Sequence, residues 1–338
     1  MSFMPESGTP EWLAQVAEEV LDPQVEIVDP HHHLWPAGSM FNYSGDELAS
    51  DTTSSHNVVA TMFMECQSAY REDGPEHLRS VGETEFVVAE EARMQAQNPA
   101  APPIAGIVAH ADLASPALDE ILDAHIAAAA GKFRGIRDAL CSCDDPALMI
   151  PPPAPPEKFK GEAFRKGVRR LAERGFTYDS WHYHYQNAEF AELARACPDT
   201  VMVLDHFGTP LGVGRYAGMR DAIFEEWKIG IADAASCENT VLKAGGLAMP
   251  DNGFPWFRGE RPPTSDEFIE LQERYYHYAI EQFGPERCMF ESNFPVDRLS
   301  VGYGVLWNAL KKIASRYSAS EQSAMFAGTA RRIYSLET

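Results

Sequence analysis

Cysteine is scarce in this sequence, with six residues in a chain of 338. Six dispersed cysteines are too few for a disulfide framework, and the close pair Cys141 and Cys143 lacks a second pair at the spacing of a zinc ribbon. The sequence also has no uninterrupted apolar run of roughly 18–20 residues, the length that a membrane-spanning helix needs. We therefore expect neither a disulfide-stabilised scaffold nor a membrane protein.

Basic residues are few as well. Lys and Arg together number 28 against 50 Asp and Glu, and the formal net charge is −22. Nucleic acid and anionic membrane surfaces are bound by clustered basic side chains, so this balance predicts neither of them as a partner. The first 20 residues have neither the basic segment nor the apolar core of a signal peptide. The expected location is therefore the cytoplasm.

What the sequence does contain is a regular alternation of short apolar runs with helical patterns. The apolar runs predict eight strands, at 25–33, 57–66, 103–113, 132–140, 176–184, 200–208, 239–247 and 287–295. The helical patterns predict helices at 77–97, 117–130, 161–175, 188–198, 220–236, 265–284, 304–315 and about 319–334. Such alternation is typical of a parallel (β/α)8 barrel, although a doubly wound sheet produces it too. We predict an α/β protein with one TIM-type barrel over 25–338, after an N-terminal lead over 1–24.

Three local signals mark the ends of these elements. Gly175 is expected to end the helix at 161–175, because glycine is a common residue at a helix C-terminus. Ser265 is expected to cap the start of the helix at 265–284. The prolines within 151–160 predict a loop, because proline fits neither a helix interior nor a central strand.

Polar side chains gather where the predicted strands end. They are His31, His32, His33, Glu65, His110, Asp112, Arg137, Asp138, His182, His184, Asp205, His206, Lys243, Glu291, Asn293 and Asp297. The carboxyl ends of barrel strands meet at one rim, where barrel enzymes have their active sites. Packing does not require these groups, and burying them unpaired would destabilise the fold. The sequence therefore predicts a functional site at this rim.

Two histidines of the first strand have a spacing that suits a metal ion or a substrate carbonyl. Side chains alternate between the faces of a strand, so His31 and His33 share one face. His32 points to the opposite face and is expected to be a packing residue. Two imidazoles in this arrangement can hold one divalent ion or polarise a carbonyl group. With His206 from a later strand they form the predicted metal set, and a purely structural role for the pair stays open at this point.

Several segments together resemble the amidohydrolase-related family, and most of all its lactonase-like branch. They are VDPHHHLWP, MECQ, GIR, YHYQNAEFAELARACPDTVMVLDHFGTPLG, VLKAGGL and RCMFESNFPVD, which span about residues 25–335. That branch includes 2-pyrone-4,6-dicarboxylate lactonase and sugar-lactone hydrolases. The resemblance implies a (β/α)8 barrel in which an activated water opens a lactone, or a related ester or amide.

The same resemblance implies roles for individual residues. It puts His31 and His33 at the histidine pair of the first strand, and His184 and His206 at the catalytic histidines of the fifth and sixth strands. Many family members bind zinc or manganese, whereas some lactonases of this branch need no metal. One divalent ion, held by His31, His33 and His206, is therefore an open expectation.

The eighth strand departs from the family pattern. The family commonly reads GSDWP there, with the Asp as general base, whereas this chain reads ESNFP, so Asn293 replaces the Asp. An amide cannot accept a proton at neutral pH, which leaves two neighbouring carboxylates, Asp297 and Glu291, as the candidate base. Asp297 is slightly favoured because it follows the strand and lies closer to the rim. Glu291, one layer deeper on the same face, then orients Asn293 or a histidine.

Five other residues are predicted to contact the substrate. The Arg137 guanidinium can bind a carboxylate through two hydrogen bonds, and a salt bridge to Asp138 or Glu65 is its structural alternative. Glu65 and Asn293 can contact the substrate or orient neighbouring groups, and Trp35 and Tyr183 can stack on a flat ring or serve as core packing. The expected partner is a small molecule, and an anionic lactone would match Arg137.

Three functions stay open on the sequence. The first is a lactone or ester hydrolase, and the second is a metal-dependent non-oxidative decarboxylase of an aromatic or muconate-type acid, which Asn293 disfavours. The third is a barrel that binds a small molecule without catalysis. The oligomeric state is equally open, and a homodimer through the outer helices is compatible with the pattern.

Overall fold

The computed structural model describes residues 6–39, 41–54, 56–149, 154–155 and 157–337. Within these residues eight parallel strands follow one another in chain order. They are β1 (Ile27–His32), β2 (Val58–Met64), β3 (Ile104–Ala109), β4 (Phe133–Arg137), β5 (Thr177–Ser180), β6 (Met202–Leu204), β7 (Thr240–Ala244) and β8 (Cys288–Phe290). The prolines at 151–153 and 156, part of the predicted loop, lie outside the described residues.

The ring of strands closes between β1 and the segment that follows β8. His32 and Phe294 form a parallel bridge, the His33 amide donates to the Phe294 carbonyl (2.8 Å), and the Asn293 amide donates to the His31 carbonyl (3.0 Å). The predicted (β/α)8 barrel is confirmed, and all eight predicted strands contain an observed one. The closure also brings β8, and the residues after it, directly beside the first-strand histidines.

Helices surround the barrel and cover the outer faces of the strands. They are α1 (Pro10–Leu13), α2 (Gly45–Thr53), α3 (Val81–Gln97), α4 (Leu118–Ala128), α5 (Glu162–Glu173), α6 (Asn187–Ala196), α7 (Arg220–Ala235), α8 (Ser265–Phe283), α9 (Tyr303–Ala314), α10 (Ala319–Ser323) and α11 (Thr329–Ile333). A π-helical turn, Ala324–Gly328, joins α10 to α11, so the helix predicted at 319–334 is interrupted. No helix in the described part of the chain is long and apolar enough to cross a bilayer.

One helix end and one helix differ from the sequence-based expectation, and a second helix end agrees with it. Thr264 caps α8, with its hydroxyl accepting from the Glu267 amide (3.2 Å), so the prediction of Ser265 as the cap is one residue late. Gly175 does follow the last residues of α5, with a φ of +77° that glycine adopts without strain. Helix α2 is missing from the predicted helices, although Ser44 and Glu47 form the capping box that marks its start.

The strands carry two layers of apolar packing. Their outer faces contact the helices, as Ile104, Ile136 and Leu204 do in the main core. Inside the barrel, apolar residues from six strands, among them Val28 and Val203, pack against Tyr334 and Leu336 of the C-terminal segment. The polar residues lie at the opposite end of the barrel interior, where the carboxyl ends of the strands meet.

Candidate active site

A cavity of about 400 Å³ lies at the carboxyl ends of the strands. Its polar walls come from residues at or just after the ends of β1, β2, β4, β6 and β8, namely His33, Glu65, Arg137, His206 and Asn293. Trp35, Phe41 and Trp181 supply aromatic walls. Parallel strands end at one rim, so residues distant in sequence converge there.

The first-strand histidines face each other under this cavity. The Nε2 atoms of His31 and His33 are 3.3 Å apart. His33 Nδ1 lies 2.9 Å from the Met64 carbonyl, which only accepts, so Nδ1 carries the proton and Nε2 presents a lone pair. Burial lowers the pKa of both imidazoles well below the usual range, so both are neutral. His32 contacts Thr61 (3.0 Å) instead, as expected of a packing residue.

Glu291 joins His31 to His206. Its Oε1 lies 2.7 Å from His206 Nδ1, and its Oε2 lies 2.9 Å from His31 Nδ1. Burial raises the pKa of Glu291 to about 8 and lowers the pKa of His206 to about 3. His206 is therefore neutral at pH 7. Because Nδ1 is held by Glu291, Nε2 is the ring nitrogen left to act on a ligand.

His206 sits on strained backbone directly after β6. Its φ is +54° and that of Phe207 is +57°, a left-handed conformation that is uncommon for residues other than glycine. Gly246, after β7, lies so close that a Cβ there would be 2.2 Å from His206 Nδ1. Strain of this kind persists where the surrounding structure holds a functional side chain in place.

Asp297 has a different setting from Glu291. Its Oδ1 accepts from Asn293 Nδ2 (2.9 Å) and its Oδ2 accepts from the Ala248 amide (3.0 Å). Burial raises its pKa well above the usual range. Asp297 is absent from the described residues that line the cavity, whereas Asn293 lines it. Asp297 thus orients Asn293, and of the two candidate acids of the eighth strand Glu291 is the one in contact with histidines.

Arg137 is enclosed by partners of its own. Its Nε donates to Glu65 Oε1 (2.8 Å), and its Nη2 donates to the Glu65 carbonyl. Its Nη1 lies 3.4 Å from Asp205 Oδ2 and 3.3 Å from His31 Nε2. Of the two salt-bridge partners that the sequence suggested, Glu65 is therefore the one that Arg137 contacts, whereas Asp138 pairs with Lys158.

Lys243, one of the strand-end side chains to which the sequence gave no role, is buried beneath the cluster. Lys243 Nζ lies 2.8 Å from Asp179 Oδ2, 3.4 Å from Asp205 Oδ1 and 3.4 Å from His31 Nδ1, and these side chains are all fully buried. Tyr334 donates to Asp179 from the C-terminal segment. The sequence contained a signal for this network, because an acid or a lysine inside an apolar strand requires a buried partner.

Two predicted residues of the fifth strand segment lie away from the cavity. His184 Nδ1 accepts from the Leu211 amide (3.3 Å), and its ring packs against Tyr216 at 5.4 Å between centroids. Tyr183 is buried in a small apolar cluster with Cys141 and Trp181. Neither belongs to the described residues that line the cavity.

The histidine cluster also has features that suit a metal ion. Among the described residues, His31, Asp205 and His206 each offer one ligand atom, and these atoms lie within 4.8 Å of one another. Two nitrogens bound to a tetrahedral zinc lie about 3.3 Å apart, which matches the Nε2 atoms of His31 and His33. Within the described residues, the buried Oε2 of Glu291 and Oδ1 of Asp205 accept no aligned hydrogen bond. The donor set and these oxygens fit a divalent cation.

Comparisons with known proteins agree with this architecture. The protein y4mH of Sinorhizobium fredii is 30% identical, with 92% of this chain and 98% of that protein covered. L-fucono-1,5-lactonase of Burkholderia multivorans is 30% identical over 69% of this chain and 72% of its own length. The crystal structure of an amidohydrolase from Burkholderia multivorans with bound zinc is 24% identical, with a TM-score of 0.69 and 92% and 99% of the two chains covered.

The family comparison covers almost the whole barrel. Residues 28–336 match the model of the amidohydrolase family, from the beginning of β1 to the C-terminal segment. The resemblance that the strand-end motifs indicated is thereby confirmed. This chain belongs to the amidohydrolase family.

Proposed function

We propose that this protein is a hydrolase that opens a lactone, or a related carboxylic ester, with a water molecule activated in the cavity. One observation carries the proposal: a neutral His206 lines the cavity with its Nδ1 held by buried Glu291. An imidazole in this state can take a proton from water. The similarity to L-fucono-1,5-lactonase supports a lactone as the substrate type.

The reaction follows from this pair. The water oxygen attacks the lactone carbonyl carbon while His206 Nε2 takes the proton of the water. The tetrahedral intermediate collapses with cleavage of the ring C–O bond, and His206 returns the proton to the leaving ring oxygen, which yields a hydroxy acid. Glu291 holds the ring through Nδ1, and in its ionised form, a minority at pH 7 because burial raises its pKa to about 8, it stabilises the imidazolium as the acid of a catalytic triad does.

We assign the carboxylate role to Glu291 rather than Asp297. Glu291 contacts the two histidines His31 and His206, whereas both oxygens of Asp297 are engaged by Asn293 and Ala248. Under this proposal Asp297 is a positioning residue for Asn293. His184, which lies outside the cavity, has no part in the reaction.

The proposal also includes one bound zinc or manganese ion. His31 and His33, whose Nε2 atoms are 3.3 Å apart, would hold it, and such an ion supplies a Lewis acid for the carbonyl oxygen. Because His206 is assigned to the proton, His33→Ala should weaken zinc binding at least tenfold in a calorimetric titration, and His206→Asn should not. Equal weakening by both variants would make His206 a ligand instead.

The alternatives receive less support. A non-oxidative decarboxylase was disfavoured by Asn293 in the sequence, and no contact in the site favours it. Ligand binding without catalysis does not require a buried acid that orients an imidazole next to the cavity. The Glu291–His206 pair therefore favours hydrolysis.

The deciding experiment is an acid-release assay on a panel of five- and six-membered lactones. We expect wild-type turnover of at least one lactone, a loss of about 100-fold or more in His206→Asn, and near wild-type rates in His184→Asn. Turnover of none of the panel by the wild type, or full activity in His206→Asn, contradicts the proposal.

A further inference from the structure

We infer that the cavity selects a lactone whose ring carries an apolar substituent, an alkyl or aryl group, and that this group packs against Trp35 and Phe41. The inference rests on the proposed lactonase function and names its substrate class. It departs from the anionic lactone that Arg137 suggests in the sequence, and from the hydroxylated rings of sugar lactones. The reason lies in how polar and apolar side chains divide the cavity wall.

The polar residues of the cavity lie at the strand ends and are buried. His33, Glu65 and Arg137 are at or next to the last residues of β1, β2 and β4, and each is at most 4% exposed. His206 and Asn293 lie two and three residues beyond β6 and β8 and are buried as well. These residues form the inner end of the cavity, where the proposed reaction takes place.

Polar groups at this inner end are largely bound to one another. Arg137 Nε and Nη2 donate to Glu65, and Nη1 lies 3.4 Å from Asp205 Oδ2. His206 Nδ1 is held by Glu291. A hydroxyl or carboxylate on the substrate ring would lose its water here without gaining an equal set of hydrogen bonds, which is unfavourable.

Apolar side chains line the cavity from the loops that follow the strands. Trp35 and Phe41 lie three and nine residues beyond β1, and both are partly exposed. Met249 and Val296 lie five and six residues beyond β7 and β8. The aromatic surface that Trp35 and Phe41 leave exposed is therefore available to an apolar group of a ligand, and covering it is favourable.

Trp181 adds an apolar face beside the catalytic histidine. It directly follows β5 and lines the cavity, and its Nε1 donates to Thr209 Oγ1 (3.1 Å). The Thr209 amide donates in turn to the His206 carbonyl (2.8 Å). The polar atom of the indole is thus used within the protein, so the ring offers a ligand hydrophobic surface.

The wall that contains Trp35 is held in place by the protein itself. The Trp35 amide donates to the Tyr43 carbonyl (2.9 Å), and the preceding Leu34 carbonyl accepts from the Ser68 hydroxyl (3.0 Å). The ring centroids of Trp35 and Phe41 are 4.7 Å apart, so the two side chains support each other. A wall ordered before binding lowers the entropic cost of the contact.

The cavity also has room for a substituent. Its volume of about 400 Å³ lies in the range of sites that enclose drug-sized ligands. A six-membered lactone ring with its carbonyl at His206 leaves space toward Trp35 and Phe41. Each CH2 group buried there should strengthen binding roughly fourfold.

The test compares three six-membered lactones with the wild-type enzyme, after correction for spontaneous hydrolysis. They are the unsubstituted ring, the same ring with a pentyl group on the carbon next to the ring oxygen, and the polyhydroxylated ring of a hexonic acid. We expect kcat/KM for the pentyl lactone to exceed each of the others at least tenfold. Equal or faster hydrolysis of the hydroxylated lactone overturns this inference and leaves the lactonase proposal intact. Turnover of no lactone at all overturns both.

Variants of the apolar wall test which residues carry the preference. Trp35→Ala should lower kcat/KM for the pentyl lactone at least tenfold and for the unsubstituted lactone less than threefold, whereas Trp35→Phe should keep most of the preference. Phe41→Ala should act in the same direction as Trp35→Ala, and it provides the test if Trp35→Ala does not fold.

Phe224→Ala is the matched control. Phe224 is a partly buried aromatic residue of α7 and is absent from the described residues that line the cavity. Its replacement should change kcat/KM for the pentyl and unsubstituted lactones by the same factor. If Trp35→Ala and Phe41→Ala also affect both lactones equally, the aromatic residues have a structural role only and the inference is refuted.

Discussion

His206 Nδ1 lies 2.7 Å from Glu291 Oε1, and both side chains are buried. His206 follows β6 and Glu291 follows β8, and β7 lies between these two strands. The contact therefore crosses the barrel rim above Lys243 of β7. The amidohydrolase pattern has its acid two residues later, where this chain has Asn293. The contact gives this chain a carboxylate next to a histidine in spite of that replacement.

The two acids near the eighth strand should respond differently to neutralisation. Glu291→Gln keeps an acceptor for His206 Nδ1 but can no longer ionise to the carboxylate that stabilises an imidazolium, so kcat/KM for lactone hydrolysis should fall about 100-fold. Asp297→Asn should lower it less than tenfold, since Asp297 acts through Asn293. Steady-state kinetics on folded variants measures both losses. A larger loss in Asp297→Asn than in Glu291→Gln would assign the base to Asp297.

Gly246 should matter because of its approach to His206. In Gly246→Ala the new Cβ would lie 2.2 Å from His206 Nδ1, so the ring must move away from Glu291 and hydrolysis should fall about 100-fold. Gly131→Ala is the matched control, because Gly131 has a similar positive φ (+83°) with no heavy atom within 4 Å. It should lose about 1 kcal/mol of stability and keep its activity. Equal activity losses in the two variants would exclude the steric explanation.

Lys243 should be required for folding stability. Lys243→Met leaves Asp179 and Asp205 without their shared cation, so the free energy of unfolding should fall by about 3–5 kcal/mol. The double variant with Asp179→Asn should recover part of this loss. Lys228→Met, which removes an exposed pair with Glu225, should change stability by about 1 kcal/mol or less. Urea unfolding compares the four proteins, and a similar loss in both single variants would contradict the buried network.

Asp51 should make stability depend on pH. Burial raises its pKa from 3.8 to about 6, although it accepts a hydrogen bond from the Tyr43 hydroxyl (2.9 Å). Between pH 4 and 6 the folded state binds more protons than the unfolded state, so this group's contribution to stability falls as pH rises. Asp51→Asn lacks this fall. Between pH 4 and pH 7 its free energy of unfolding should therefore rise by about 3 kcal/mol relative to that of the wild type. Urea unfolding at several pH values measures it, and a pH-independent difference would refute the shift.

The barrel was predictable because its signal is local. Each strand is a short apolar run and each helix a 3.6-residue pattern, and both are readable without knowledge of distant residues. The shared face of His31 and His33 follows equally from the two-residue period of a strand. Cavity residues such as Glu65, Arg137 and His206 were predictable because they end strands, and strand ends meet at one rim.

The partners of these side chains were not predictable in the same way. Asp297 looked closer to the rim by sequence, yet the chain after Pro295 turns it toward Asn293 and Ala248. His184 follows β5 as the family pattern suggests, but a short helical turn directs it to Leu211 and Tyr216. Loop conformation decides both cases, and no strand or helix period describes it.

By itself the sequence determined the (β/α)8 architecture, the family and the rim at which polar side chains collect, because these depend on periodicity and on the order of motifs. Only the tertiary structure decided which acid meets which base. His206 and Glu291 are 85 residues apart, and Arg137 and Glu65 are 72 apart. Such contacts depend on barrel closure and on side-chain geometry at the ångström scale, and a hydrogen bond forms only when both are satisfied.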